Sequence, residues 1–178
     1  MALTRSPRRK KTSAEKHALP DLICDTSVIQ YLHQVQLLHL LPALGHKIFV
    51  PTAVAGELAR GRSLGVDLPD LADINWLIIH QPQSHKALPL ITDLGPGEIE
   101  VLMLALEWPE SLAVLDDYLA RRVASILNLQ FTGTLGLLLD GKRIGVITKV
   151  GPVLEQLQAL GFRLADHTRR AILKLAGE

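Results

Sequence analysis

The chain has 178 residues, 48% of them hydrophobic and 21% charged, with a formal net charge of +1. This is ample material for one domain with a core and excludes a chain disordered throughout, while the single cysteine, Cys24, excludes an internal disulfide framework and a cysteine-rich zinc site. Aromatic residues at 4% argue against base stacking on an aromatic platform as the main way of gripping nucleic acid.

The net charge hides an asymmetry. Within the first 17 residues Arg5, Arg8, Arg9, Lys10, Lys11 and Lys16 stand against Glu15, a net +5, so the rest of the chain carries −4. Residues 1–20 therefore read as a basic arm without hydrophobic periodicity, and residues 21–178 as one domain. The arm is open to two readings, attraction to phosphates or a solubilising tail. It lacks the apolar core of a signal peptide, and no apolar run approaches the ~18 residues of a membrane span. With its one cysteine the chain reads as a reduced, cytoplasmic protein.

In chain order, "DLICDTS" predicts a short strand at Leu22–Cys24 that ends on Asp25, with Thr26 and Ser27 as helix-starting residues. "VIQYLHQVQLLHLL" predicts one helix running as far as Pro42. "HKIFVP" is a second buried strand, and "TAVAGELAR" a helix from Thr52. A loop-rich patch leads to a third strand in "NWLIIH", and a loop around Pro82 to Pro89 to the apolar helix "LGPGEIEVLMLALE". "LAVL" is a fourth strand, followed by the helix "DYLARRVASILN". "LQFTGTLGLLL" gives a short strand, a turn at Gly133 and another helix. The tail predicts a helix near "GPVLEQLQAL", an extended piece "GFRL" and a last helix through "TRRAILKLA".

Short apolar strands alternating with helices call for an α/β fold, a parallel sheet covered on both faces. In such sheets ligands bind beyond the carboxyl ends of the strands, where the strand order reverses. Those positions carry acids: Asp25 after the first strand, the pair Asp116 and Asp117 after the fourth, and Glu98 at the start of the preceding helix. Glu57 lies within the helix after the second strand. Singly, each has a plain role as a cap, a dipole partner or a solvated charge. Converging carboxylates repel, and burial raises their pKa values unless a cation intervenes. Mg²⁺ or Mn²⁺ suits oxygen ligands and can activate water beside a phosphate, so the chemistry implied is metal-assisted phosphodiester hydrolysis.

"ICDTSV", "GELARG", "LGPGEIEVLMLALE", "VLDDYLARRVA", "TGTLGLLL" and the final "LAGE" resemble the PIN-domain nucleases, above all a VapC-type toxin-like branch. The resemblance covers residues 21–178. It implies a three-layer αβα fold around a central parallel sheet and a Mg²⁺- or Mn²⁺-dependent ribonuclease centre acting on single-stranded RNA. Carried over by position, Asp25, Glu57, Glu98 and Asp117 are the catalytic acids, with Asp25, Asp117, Glu98 and Asp116 as the metal set. Which of Asp116 and Asp117 faces the metal stays open. Thr26, Arg121 and Thr134 are the candidate substrate contacts, Arg121 standing at i+4 from Asp117. The resemblance also implies an antitoxin protein as partner and a homodimer.

Other motifs fail. "GLLLDGKR" begins like a phosphate-binding loop, but Arg143 stands where Ser or Thr must reach the metal. No G-x-G-x-x-G follows a strand, no H-E-x-x-H is present, and no G-x-S-x-G marks a serine nucleophile. A receiver-like signalling domain would carry its acidic pair on the first strand, not beyond the middle of the chain. The rival to a nuclease is a non-catalytic binding module of the same fold. Glu98, where other PIN branches often carry Asp, speaks for that rival.

Overall fold

The computed structural model describes residues 19–83 and 93–178. Most of the basic arm and most of the loop around Pro82 to Pro89 lie outside the described residues. Five strands, β1 (Leu22–Cys24), β2 (Ile48–Pro51), β3 (Leu77–His80), β4 (Leu112–Val114) and β5 (Phe131–Thr132), form one sheet in the order β3-β2-β1-β4-β5. Every pairing is parallel, with Ile23 beside Phe49 on one side and Ala113 on the other. Successive side chains of a strand point to opposite faces. Leu22, Ile23 and Cys24 are nevertheless all buried, so the centre of the sheet is covered on both faces. Each such aliphatic side chain contributes roughly 1.5–3 kcal/mol through burial.

The helices are α1 (Thr26–Gln34), α2 (Leu40–Leu44), α3 (Thr52–Ser63), α4 (Pro96–Glu107), α5 (Tyr118–Ile126), α6 (Thr134–Arg143), α7 (Gly151–Ala159) and α8 (Asp166–Ala176). α4 packs against α3 and α5, α6 packs against α1, α2 and α8, and α1 also packs against α3. The α/β architecture with a parallel sheet expected from the alternating pattern is the one observed, and it is consistent with the PIN-like fold that the resemblance implies.

Two local expectations differ. The single helix up to Pro42 is two helices. It ends at Gln34 because Gln36 adopts a left-handed φ of 59° and Leu37 N–H turns back to Leu32 O (2.8 Å). This is a left-handed cap built without glycine, so the usual stop signal is missing from the sequence. Pro42 then sits in the first turn of α2, where its missing N–H costs no helical bond. The third strand lies at the sheet edge, leaving Ile78 and Ile79 exposed. "GFRL" leaves α7 through a turn at Gly161 and runs on without regular secondary structure through Leu164.

The chain runs outward from β1 to β2 and β3, then returns to place β4 on the other side of β1. The strand order therefore reverses between β1 and β4, and the acids after those two strands meet there. Asp25 N–H donates to Val114 O (3.2 Å), tying the two strand ends together.

Candidate active site

A cleft of about 640 Å³ opens at this edge and is lined by Asp25, Glu57, Glu98, Asp116 and Asp117. Four separate segments of chain deliver these five acids, and each carboxylate is held by the local structure. Asp25 caps α1, its Oδ2 accepting from Ser27 Oγ (2.9 Å) and Ser27 N–H (3.4 Å). Only 4% of Asp25 is exposed. Burial holds its carboxyl above the ordinary range, against the bonds from Ser27 and the Thr26 N–H, and the Glu57 charge adds to the rise.

Glu57 projects from α3 and bridges two helix starts. Its Oε1 accepts from Gly97 N–H (2.9 Å), and its Oε2 accepts from the Thr26 hydroxyl. A Cβ at residue 97 would lie 2.7 Å from Glu57 Oε2, so Gly97 is what allows this approach. Glu98 occupies the third position of α4 and reaches back to Gly95 N–H (2.6 Å), closing a capping box. Burial raises its pKa first. The Gly95 bond opposes that rise, and the charges of Asp25, Asp117 and Glu57 add to it.

The adjacent aspartates divide their roles. Asp117 is exposed and caps α5, with Oδ1 accepting from Ala120 N–H (2.8 Å). Asp116 turns instead toward α6, where Thr134 N–H bonds its Oδ1 (2.8 Å) and the Thr134 hydroxyl its Oδ2 (2.6 Å). Burial raises the Asp116 pKa, while these two bonds and the Arg121 charge pull it down. Gly133 makes room for the pair, since a Cβ there would meet Asp116 Oδ1 at 2.8 Å.

The three candidate substrate contacts fall differently. Thr26 lines the cleft but commits its hydroxyl to Glu57. Thr134 is fully buried and spends both donors on Asp116, so in this structure it positions a carboxylate. The Arg121 charge pulls down the pKa of Asp116, and the guanidinium stands 5.5 Å from the centre of the Phe131 ring. Residues that sequence reasoning missed also line the cleft: Ser27, Gln30, Tyr31, Tyr118, Phe162 and Arg163. The last two come from the turn after α7, whose only sequence signal is Gly161 after a helical pattern.

Among the described residues, no ion pair involves any of the five acids. Nor do any three His, Cys, Asp or Glu stand close enough together, as placed, to hold a metal ion. The all-oxygen donor set still suits a hard divalent cation. Mg²⁺ characteristically keeps part of its water shell and takes one or two direct carboxylates plus phosphate oxygens, which these spaced carboxylates fit better than a closed cage. Also among the described residues, no helix is long and apolar enough to cross a membrane.

No curated protein matches the chain. The family model described as PIN domain does, over residues 21–178. PIN domains are generally nucleases that use divalent metal ions, a chemistry consistent with an acidic cleft at a parallel-sheet switch point. This chain belongs to the PIN-domain family.

Proposed function

We infer that the protein is a metal-dependent endoribonuclease that hydrolyses phosphodiester bonds of single-stranded RNA. The observation that carries this reading is the cleft itself. Five carboxylates from four segments of the chain are held by caps and glycine-cleared contacts at one sheet edge, with no direct ion pair to any of them among the described residues and the Arg121 charge offsetting Asp116 in part. Mutual repulsion makes such an arrangement costly in the absence of a bound cation.

Asp25 and Asp117 are the principal candidates to hold Mg²⁺ or Mn²⁺, with Asp116 and Glu98 beside them. When bound, the ion supplies a more acidic water and charge stabilisation at the phosphate. Glu57 fixes the start of α4 through Gly97 N–H and thereby the place of Glu98. Thr134 fixes Asp116, and Arg121 partly offsets its charge. Purified protein should cut single-stranded RNA with Mg²⁺ or Mn²⁺, and EDTA or Asp25→Asn should abolish cutting.

The absence, among the described residues, of three acids already gathered for ligation favours one rival, a binding module without turnover. RNA retention without cleavage, with or without divalent ions, across varied substrates supports that rival and overturns the nuclease. The resemblance to VapC-type toxins extends the reading to a toxin–antitoxin pair and a homodimer. A neighbouring gene whose small product blocks cleavage supports the first, and sedimentation at twice the chain mass supports the second.

A further inference from the structure

The chain has two tryptophans, two tyrosines and three phenylalanines, and both tyrosines and Phe162 line the acidic cleft. Tyr118 is the residue after Asp117 and the first of α5. It is 77% exposed, giving up the burial that stabilises most aromatic side chains. Phe162 and Arg163 reach the cleft through the turn that ends α7. Gly161 adopts a φ of 91°, Gly161 N–H donates to Gln158 O (3.0 Å) and Phe162 N–H to Leu157 O (2.9 Å). These paired bonds define a left-handed helix cap, so the cleft wall here is a hydrogen-bonded turn and not an unsupported loop. The turn seats Phe162 edge-on against Tyr31, with ring centroids 5.0 Å apart at 82°. The next residue, Arg163, is exposed, and no ion pair among the described residues engages it although five carboxylates share its cleft.

We propose that Tyr118 and Arg163 form a nucleotide subsite beside the carboxylates, Tyr118 stacking one unpaired base and Arg163 holding a neighbouring phosphate. This rests on the RNA-cutting reading and deepens it by naming what selects the substrate. A base offers its face to a ring only when it is unstacked, so a subsite that requires stacking rejects a duplex. Every base has such a face, so Tyr118 confers strandedness with little sequence preference. The Arg163 guanidinium matches phosphate oxygens with its planar fork and offsets the repulsion between an acidic cleft and a polyanion. One stacking ring suits a chain poor in aromatics, where an extended platform does not.

The test uses the full chain carrying Asp25→Asn, so that binding is read without turnover. Fluorescence anisotropy in Mg²⁺ buffer compares a short labelled single-stranded RNA, its duplex and an abasic strand of equal length. The base-bearing single strand should bind tightest. Tyr118→Ala should weaken it about 10-fold and leave the abasic strand unchanged, while Tyr118→Phe retains binding. Arg163→Gln should weaken both single strands and reduce the slope of log affinity against log salt by about 0.7. Unchanged melting temperatures confirm that the variants fold. The subsite is overturned if no strand binds, if the duplex binds as tightly as the single strand, or if Tyr118→Ala binds like its parent. A chain with native Asp25 that cuts RNA equally well with and without Tyr118→Ala also overturns the subsite, leaving the nuclease intact. The expected binding pattern without any cleavage by native protein keeps the subsite and overturns the nuclease.

Discussion

Thr134 holds Asp116 with both of its donors, the N–H to Oδ1 at 2.8 Å and the hydroxyl to Oδ2 at 2.6 Å. The threonine is fully buried, so water cannot replace a lost bond without rearrangement. Thr134→Val keeps the shape and the N–H but removes the hydroxyl donor. It should cost about 1–3 kcal/mol in denaturant unfolding and reduce RNA cleavage at least ~10-fold, because the carboxylate loses its fixed orientation. Thr134→Ser, which restores the donor, should recover most of the activity. A valine variant that unfolds and cleaves like the parent removes the positioning role.

Gly97 and Gly56 form a matched pair for a second test. A Cβ at Gly97 would stand 2.7 Å from Glu57 Oε2 and 3.0 Å from Val54 Cγ2, whereas a Cβ at Gly56 meets nothing within 4 Å. Gly97→Ala should push Glu57 off the α4 start, destabilise by about 1–3 kcal/mol and impair cleavage. Gly56→Ala, on the exposed side of α3, should instead stabilise by about 0.5–1 kcal/mol through helix propensity. Equal effects of the two substitutions would show that the approach to Glu57 is unimportant.

Asp25, Glu98 and Asp116 all have folded-state pKa values raised chiefly by burial. Stability linked to a raised carboxyl pKa is fully present below the unfolded value and is lost as pH rises through the folded one. Metal-free protein should therefore lose melting temperature as pH rises through the range where these groups ionise. Divalent ions should restore it on the alkaline side through binding to the folded state. Asp25→Asn should flatten this loss and raise the metal-free melting temperature at neutral pH while abolishing cleavage. A neutral-pH melting temperature below that of the parent would contradict the repulsion argument.

Glu178 shows the opposite sign. Its Oε1 accepts from Val150 N–H (2.7 Å) and Lys142 Nζ (3.0 Å), its Oε2 accepts from Gly151 N–H (2.9 Å), and these bonds lower its pKa to about 2. The stability this carboxylate adds at the start of α7 is present above its unfolded value of 4.5 and lost as pH falls through about 2. Glu178→Gln should lower the melting temperature at neutral pH and narrow the difference from the parent in strong acid. Cleavage well below the melting temperature should be unchanged, since Glu178 does not line the cleft. Equal melting curves at neutral pH would rule out the cap.

Much of the fold was legible because its signals are local. Three buried residues followed by Asp-Thr-Ser mark the end of β1 and the start of α1, and Gly-Pro-Gly-Glu marks the start of α4. The break after Gln34 was not legible, because Gln36 takes the left-handed position without a glycine to announce it. Low aromatic content was a sound reading of the average but was silent on position: Tyr31, Tyr118 and Phe162 lie far apart in sequence and meet at one cleft.

By itself the sequence determined the alternation of strands and helices, hence the parallel sheet, and the acids just beyond the ends of β1 and β4. Strand burial and helix caps depend on neighbours a few residues away, and such patterns are written in the chain. Only the tertiary structure decided that Asp116 is bound by Thr134, 18 residues on, and that Glu57 joins Thr26 and Gly97 across 31 and 40 residues. Those contacts depend on how packed helices bring side chains within about 3 Å, and no periodicity or spacing along the chain encodes that distance.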